Sequence, residues 1–271
     1  MPDLDHQPVA PARPLTEDFS TVTERSAARA TTEQRSMLRT RYELAAELSA
    51  GKDVLEVACG AGIGLRYLVT KTRRAVGGDY TESLLRQAGD VDGTGPCRVR
   101  LDAQVLPFRD RSFDVVVLCE ALYYVPNAAA FAAEARRVLR NDGVLFICSV
   151  NCEWDGFMPS PFSTRYFAAQ DIVRLLEGAR FEVRLLGAFP VRPHSSQSTV
   201  VALLRRVAAR LHLVPKTMRG KEWLKRAFYG PLEPLPTAVG SDLGPPAPLV
   251  PLDGRTVVTD FKVLYAIGRL T

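Results

Sequence analysis

From residue 53 onwards, short apolar runs alternate with stretches in which apolar positions recur every three or four residues. The runs near 53–58, 74–79, 97–101, 113–119 and 143–149 predict buried strands, and the stretches near 65–72, 81–89 and 128–139 predict helices. Ahead of them, Thr23–Leu48 has a helical pattern with Met37, Leu38, Leu44, Ala45 and Leu48 on one face, ended by Gly51. Alternation on this scale predicts an α/β fold, a parallel sheet covered on both faces by helices. Ligands of such sheets sit beyond the carboxyl ends of the strands, where the strand order reverses.

The second half is less regular. Residues 151–165 read as a loop carrying Trp154, Phe157 and Phe162 among prolines, followed by a helix over 167–178 and a strand over Phe181–Ala188. A last strand is expected at Thr259–Gly268. The connection 189–258 is too long for a structureless loop. It predicts a substrate cap over the pocket, with helices near 198–212 and 219–229 and a proline-rich crossing over 231–251. The division is therefore a proline-bearing mobile tail, 1–18, a main domain, 19–188 with 259–271, and the inserted cap, 189–258.

Candidate chemistry begins at Val54–Gly64, a short strand running into Gly60, Gly62 and Gly64, with Asp79 ending the next apolar run. Glycines let backbone N–H groups approach a ligand closely, and an acid at the second strand end accepts bonds from ribose hydroxyls. An adenosine-containing cofactor is expected. Glu56 lies four residues before Gly60, where a carboxylate suits a cationic ligand and disfavours a pyrophosphate.

Four blocks in order carry a family resemblance: Glu56-x-Ala58-x-Gly60-x-Gly62-x-Gly64, Asp102-Ala-Gln-Val-Leu-Pro-Phe108, Ser112–Val125 and Glu134–Phe146. Together, over about residues 40 to 188, they resemble the class I S-adenosylmethionine (SAM) methyltransferases that act on small molecules. Two departures are Ala58, where the family usually has glycine, and Arg140-Asn-Asp-Gly143 at a turn that usually reads Lys-Pro-Gly-Gly. The resemblance implies a Rossmann-like seven-stranded sheet with a cap inserted between the last two strands. It implies that Glu56, Gly60 and Gly62 hold the methionine end of SAM, with the Cys119 carbonyl region at the amino group. Asp79 would take the ribose hydroxyls with Tyr80 beside the adenine, and Asp102 with Ala103 would take the adenine amine. Arg41 and Tyr42 would close over the carboxylate, although an arginine on a solvated face is an equal reading.

Methyl transfer is an in-line displacement that needs alignment and dryness, and a hydroxyl acceptor must also lose a proton. His194, after the sixth strand, is the candidate base, against the plain reading of a loop histidine. Tyr123, Tyr124, Trp154, Phe157 and Tyr166 are the candidate acceptor residues, with core packing as the alternative. The expected function is methylation of a hydroxyl on a sugar, a quinone-like compound or a natural product. Nitrogen or carbon acceptors, a nicotinamide-dependent oxidoreductase and a non-catalytic binding module stay open as alternatives.

Composition changes this picture little. The 271 residues are 46% hydrophobic and 24% charged, as in ordinary globular chains. Five cysteines with no paired spacing predict neither a disulfide frame nor a metal site, and no apolar run has the length of a membrane span, so a cytoplasmic enzyme is expected. Between Arg205 and Arg226 lie eight basic residues and one acid, Glu222. A solvated face is the first reading of that bias, an anionic acceptor the second and a membrane surface the third. No nucleic-acid partner is expected, because no binding module accompanies the charge.

Overall fold

The computed structural model describes residues 18–88, 96–160, 162–191 and 232–270. In chain order the elements are β1 (Arg29–Ala30), α1 (Thr32–Ser49), β2 (Asp53–Val57), α2 (Ile63–Val69), β3 (Arg74–Asp79), α3 (Glu82–Gln87), β4 (Cys97–Arg100) and β5 (Phe113–Cys119). They continue with α4 (Ala128–Val138), β6 (Leu139–Val150), α5 (Ala169–Gly178), β7 (Phe181–Pro190), β8 (Glu233–Pro234), β9 (Val250–Leu252) and β10 (Phe261–Leu270).

The main sheet has the order β4-β3-β2-β5-β6-β10-β7-β9. Strands β4 through β6 are parallel, and β10 inserts antiparallel between β6 and β7. The seven expected strands are joined by β9, an edge strand contributed by the long connection after β7. All five residues of β2 are buried, as a central strand with both faces covered requires. One face packs on α4 and α5 through Phe131, Ile172 and Leu176, the other on α1 and α2 through Leu38, Ala45 and Leu65. Strand order reverses between β2 and β5, so their carboxyl ends open a crevice.

Helix α1 starts later than the expected Thr23. The Thr31 hydroxyl accepts the Gln34 N–H at 3.1 Å, and Gln34 Oε1 accepts the Thr31 N–H at 3.0 Å. This reciprocal cap satisfies two otherwise unpaired donors and sets the first turn. Residues 19–28 precede it as turns and irregular chain, and β1 then pairs with β8.

The expected cap helices near 198–212 and 219–229, and the basic stretch 205–226, lie outside the described residues. The described part of the connection does not overhang the crevice. Residues 234–247 strap across α1 instead, with Arg35 donating to the Pro234 carbonyl at 2.7 Å and the Thr40 hydroxyl accepting Ala247 N–H at 2.9 Å. Leu235, Val239 and Leu243 bury themselves against the same helix. Among the described residues, no helix is long and apolar enough to cross a membrane.

Candidate active site

A cavity of about 370 Å³ lies at the carboxyl ends of β2, β3 and β5. Its floor is the glycine turn. Ala58, Gly60 and Gly62 all have positive φ, at 58°, 54° and 78°. Ala58 therefore holds a backbone conformation that costs a side chain of its kind about 1 kcal/mol. Gly62 N–H closes the turn on the Cys59 carbonyl, and α2 begins at Ile63 rather than Leu65. Gly64 is consequently helical, and its requirement is close packing: a Cβ there would lie 1.8 Å from the Tyr42 ring. Gly64→Ala should push Tyr42 away and destabilise the protein by about 1–3 kcal/mol, read by chemical denaturation.

Tyr42 is held there by the site's acid. Its hydroxyl donates to Glu56 Oε1 at 2.6 Å, and both groups are buried. The other Glu56 oxygen, Oε2, is buried without a hydrogen-bond partner. Burial pushes the Glu56 carboxyl up to about 7, against the Tyr42 hydrogen bond and the Arg41 charge, which pull it down. Arg41, the residue before Tyr42 on α1, is itself buried and forms an ion pair with Glu24.

Asp79 ends β3 with one oxygen accepting Gly60 N–H and the other Thr81 N–H, each at 2.8 Å. It is buried, and burial raises its pKa. The carboxylate thus ties the β3 end to the glycine turn while keeping lone pairs for a ligand. Asp102 accepts from the Gln104 N–H at 2.9 Å and sits beside Ala103 on the far wall. Tyr80 and Cys119 also line the cavity, whereas Gly62 does not.

Glu120 was not among the expected site residues. It follows β5 with φ of 52°, lines the cavity, and is raised in pKa by burial. Its Oε2 accepts the Tyr123 hydroxyl at 3.0 Å and the Val150 N–H at 3.3 Å. The rule that singles out Asp79, an acid at the carboxyl end of a buried parallel strand, would also have found it.

The expected acceptor residues separate into two groups. Tyr123, Tyr124 and Trp154 line the cavity, whereas Phe157 and Tyr166 do not. Tyr166 stacks behind Tyr123 with ring centroids 4.8 Å apart, and Phe157 packs edge-on against Tyr166 at 4.5 Å. Those two act as a backing layer because Tyr166 also spends its hydroxyl on Ser160 N–H at 2.6 Å. His194, like His6 and His212, lies outside the described residues. Among the described residues no cluster could hold a metal ion.

Charge gives the cavity its preference. Among the described residues that line it, Asp79 is a buried acid, Glu120 is a half-buried one and Arg41 is a buried cation. Glu56, bonded to the lining Tyr42, is a further buried acid, and one of its oxygens lacks a partner. Such a site fits a ligand that brings positive charge and donors, together with one carboxylate for Arg41. It does not fit a pyrophosphate.

Comparison with known proteins agrees with this geometry. Residues 55–147 match the family described as a methyltransferase domain. A protein of Mycolicibacterium smegmatis named "Probable S-adenosylmethionine-dependent methyltransferase" is 36% identical over 160 residues, 55% of this chain and 59% of that protein. Phthiotriol/phenolphthiotriol dimycocerosates methyltransferase 1 of Mycobacterium ulcerans is 42% identical over 120 residues, 40% of this chain and 43% of that one. The alignments thus span less than two thirds of either relative. A solved SAM-dependent methyltransferase from Thermotoga maritima superposes with a TM-score of 0.56 at 14% identity, over 88% of this chain and 90% of that chain, and shares the fold.

Proposed function

We propose that the chain is a class I SAM-dependent methyltransferase, with SAM as its cofactor, and that it methylates a hydroxyl oxygen of a small-molecule acceptor. The observation that carries this reading is the meeting, at one cavity, of the unpartnered Glu56 oxygen with an aromatic wall and a second, half-buried acid, Glu120.

Glu56 would take the ammonium of the methionine end and Arg41 its carboxylate, while Asp79 would accept from the ribose hydroxyls and Asp102 from the adenine amine. SAM supplies an activated methyl group on a positively charged sulfur. The protein's task is then alignment and exclusion of water, which Tyr123, Tyr124 and Trp154 serve as large flat walls. The acceptor hydroxyl forms the new C–O bond as the C–S bond breaks, and its proton passes to a carboxylate. Glu120, raised in pKa and already hydrogen-bonded to Tyr123, suits that role. His194 stays a proposal for the same role. Sugars, quinone-like compounds and natural products are the acceptor classes in view. The M. ulcerans relative, whose name is that of a methyltransferase for phthiotriol and phenolphthiotriol dimycocerosates, supports adding hydroxylated lipids. The basic stretch 205–226 motivates anionic acceptors as a further arm.

Calorimetric titration with SAM and S-adenosylhomocysteine (SAH), with NADH as control, tests the cofactor. Transfer of labelled methyl from SAM to a panel of hydroxylated acceptors tests the reaction. Glu120→Gln should then lower kcat by roughly 10²- to 10⁴-fold while SAH affinity stays within a few-fold. A loss of SAH affinity instead would move Glu120 to the ammonium of the cofactor.

A further inference from the structure

The segment Phe19–Glu24 lies along the cavity from its ribose end to its methionine end. Phe19 N–H donates to the Thr81 hydroxyl at 3.2 Å, beside Asp79, and the Phe19 ring meets Tyr80 edge-on at 6.1 Å. A turn follows, in which the Thr23 N–H and hydroxyl both donate to the Phe19 carbonyl, at 3.1 and 2.9 Å. The turn sets the Thr23 methyl group on the glycine floor, where a Cβ on Gly60 would come within 2.7 Å of it. Glu24 then closes its ion pair on Arg41. The two partners differ in exposure: the Arg41 side chain is 7% accessible and the Glu24 side chain 44%.

We propose that Phe19–Glu24 is an occluding strap over the cofactor site, and that Glu24 occupies Arg41 in place of the cofactor's carboxylate, to be displaced when the cofactor binds. The inference rests on the cofactor reading above. A buried guanidinium without an anion is strongly disfavoured, so the ligand-free protein needs an internal partner for Arg41. Glu24 can leave at small cost because water already reaches it. Held on the same chain, it competes at a high effective concentration and lowers the apparent affinity for any ligand that needs Arg41. The Thr23 methyl covers the glycine floor at Gly60 until the strap moves. Ligands that have the adenosine but no amino-acid end leave the ion pair in place.

That difference supplies the test. The full-length chain and its Glu24→Gln variant are titrated calorimetrically with SAH and with 5′-methylthioadenosine, which lacks the amino-acid end. The variant is expected to bind SAH roughly threefold to tenfold more tightly, as removal of a competing state requires. Its affinity for 5′-methylthioadenosine should not change. Unchanged or weakened SAH binding in the variant, or an equal gain for both ligands, would overturn the displacement. Failure of either ligand to bind either protein would instead overturn the cofactor reading, and this inference with it.

Discussion

Between pH 5 and 7 the ligand-free protein is expected to lose stability as the pH rises, by up to about 3 kcal/mol, while its affinity for SAH increases. The cause is Glu56. Its carboxyl is buried with one oxygen unpaired, and burial lifts it to about 7. In the unfolded chain the same group titrates near the ordinary glutamate value, about 4.3. Across that window the folded state holds a proton that the unfolded state has lost, so each step up in pH favours unfolding. The contribution is complete below the unfolded value and is gone once the pH passes the folded one. Burial shifts Glu120 and Asp79 in the same direction, so they add to the slope. Asp53 acts with the opposite sign and at lower pH: Arg73 and Arg140 hold it down to about 2, and its stabilisation is lost as pH falls from about 4 towards 2.

Binding reverses the preference at Glu56, since the ammonium of the ligand favours the ionised carboxylate. Titrations of SAH at pH 6 in buffers of different ionisation enthalpy should therefore report release of about one proton, falling towards zero at pH 8. Glu56→Gln keeps an acceptor for the Tyr42 hydroxyl and removes the titration. It should flatten most of the denaturation slope between pH 5 and 7 and abolish the proton release. A wild-type slope retained in the variant would assign the effect to Glu120 and Asp79.

What could be read from the chain and what could not divides along physical lines. The strands, and the acids Glu56 and Asp79 at their carboxyl ends, follow from local periodicity and the rule that parallel sheets present their ends to ligands. Glu120 obeys the same rule, but its partners, Val150 and Cys148, come from β6, and that register is a property of the folded sheet. The start of α1 was legible in Thr31-x-x-Gln34, a capping pattern outweighed by the apolar periodicity around it. Glu24 carried no local signal, because its ion pair joins segments that only the tertiary fold brings together. The strap of residues 234–247 on α1 was equally hidden. Prolines marked a crossing segment, but its position depends on Arg35 and Arg39 reaching backbone carbonyls about two hundred residues away.

Asp79→Ala is expected to weaken SAH binding by about a hundredfold or more and to lower the stability of the ligand-free protein by about 2–4 kcal/mol. Two effects of one carboxylate are involved. Asp79 accepts the N–H groups of Gly60 and Thr81, both buried, and alanine would leave both donors without a partner. Each such donor costs about 1–3 kcal/mol, and relief from burying the carboxylate offsets part of the sum. The same bonds hold the glycine turn against the β3 end, so their loss also loosens the floor on which the cofactor would rest. Asp79→Asn separates these effects. Its amide oxygen can keep one of the two N–H groups, while its NH₂ faces the other as a donor against a donor. The asparagine variant should therefore recover about half of the lost stability. Its affinity for SAH should stay low, since an amide has lost the charge and half the acceptors offered to a ribose diol. Denaturation and calorimetry on the three proteins decide the matter. Affinity restored in parallel with stability would reduce Asp79 to a brace for the turn. Stability restored without affinity would make it a ligand of the ribose.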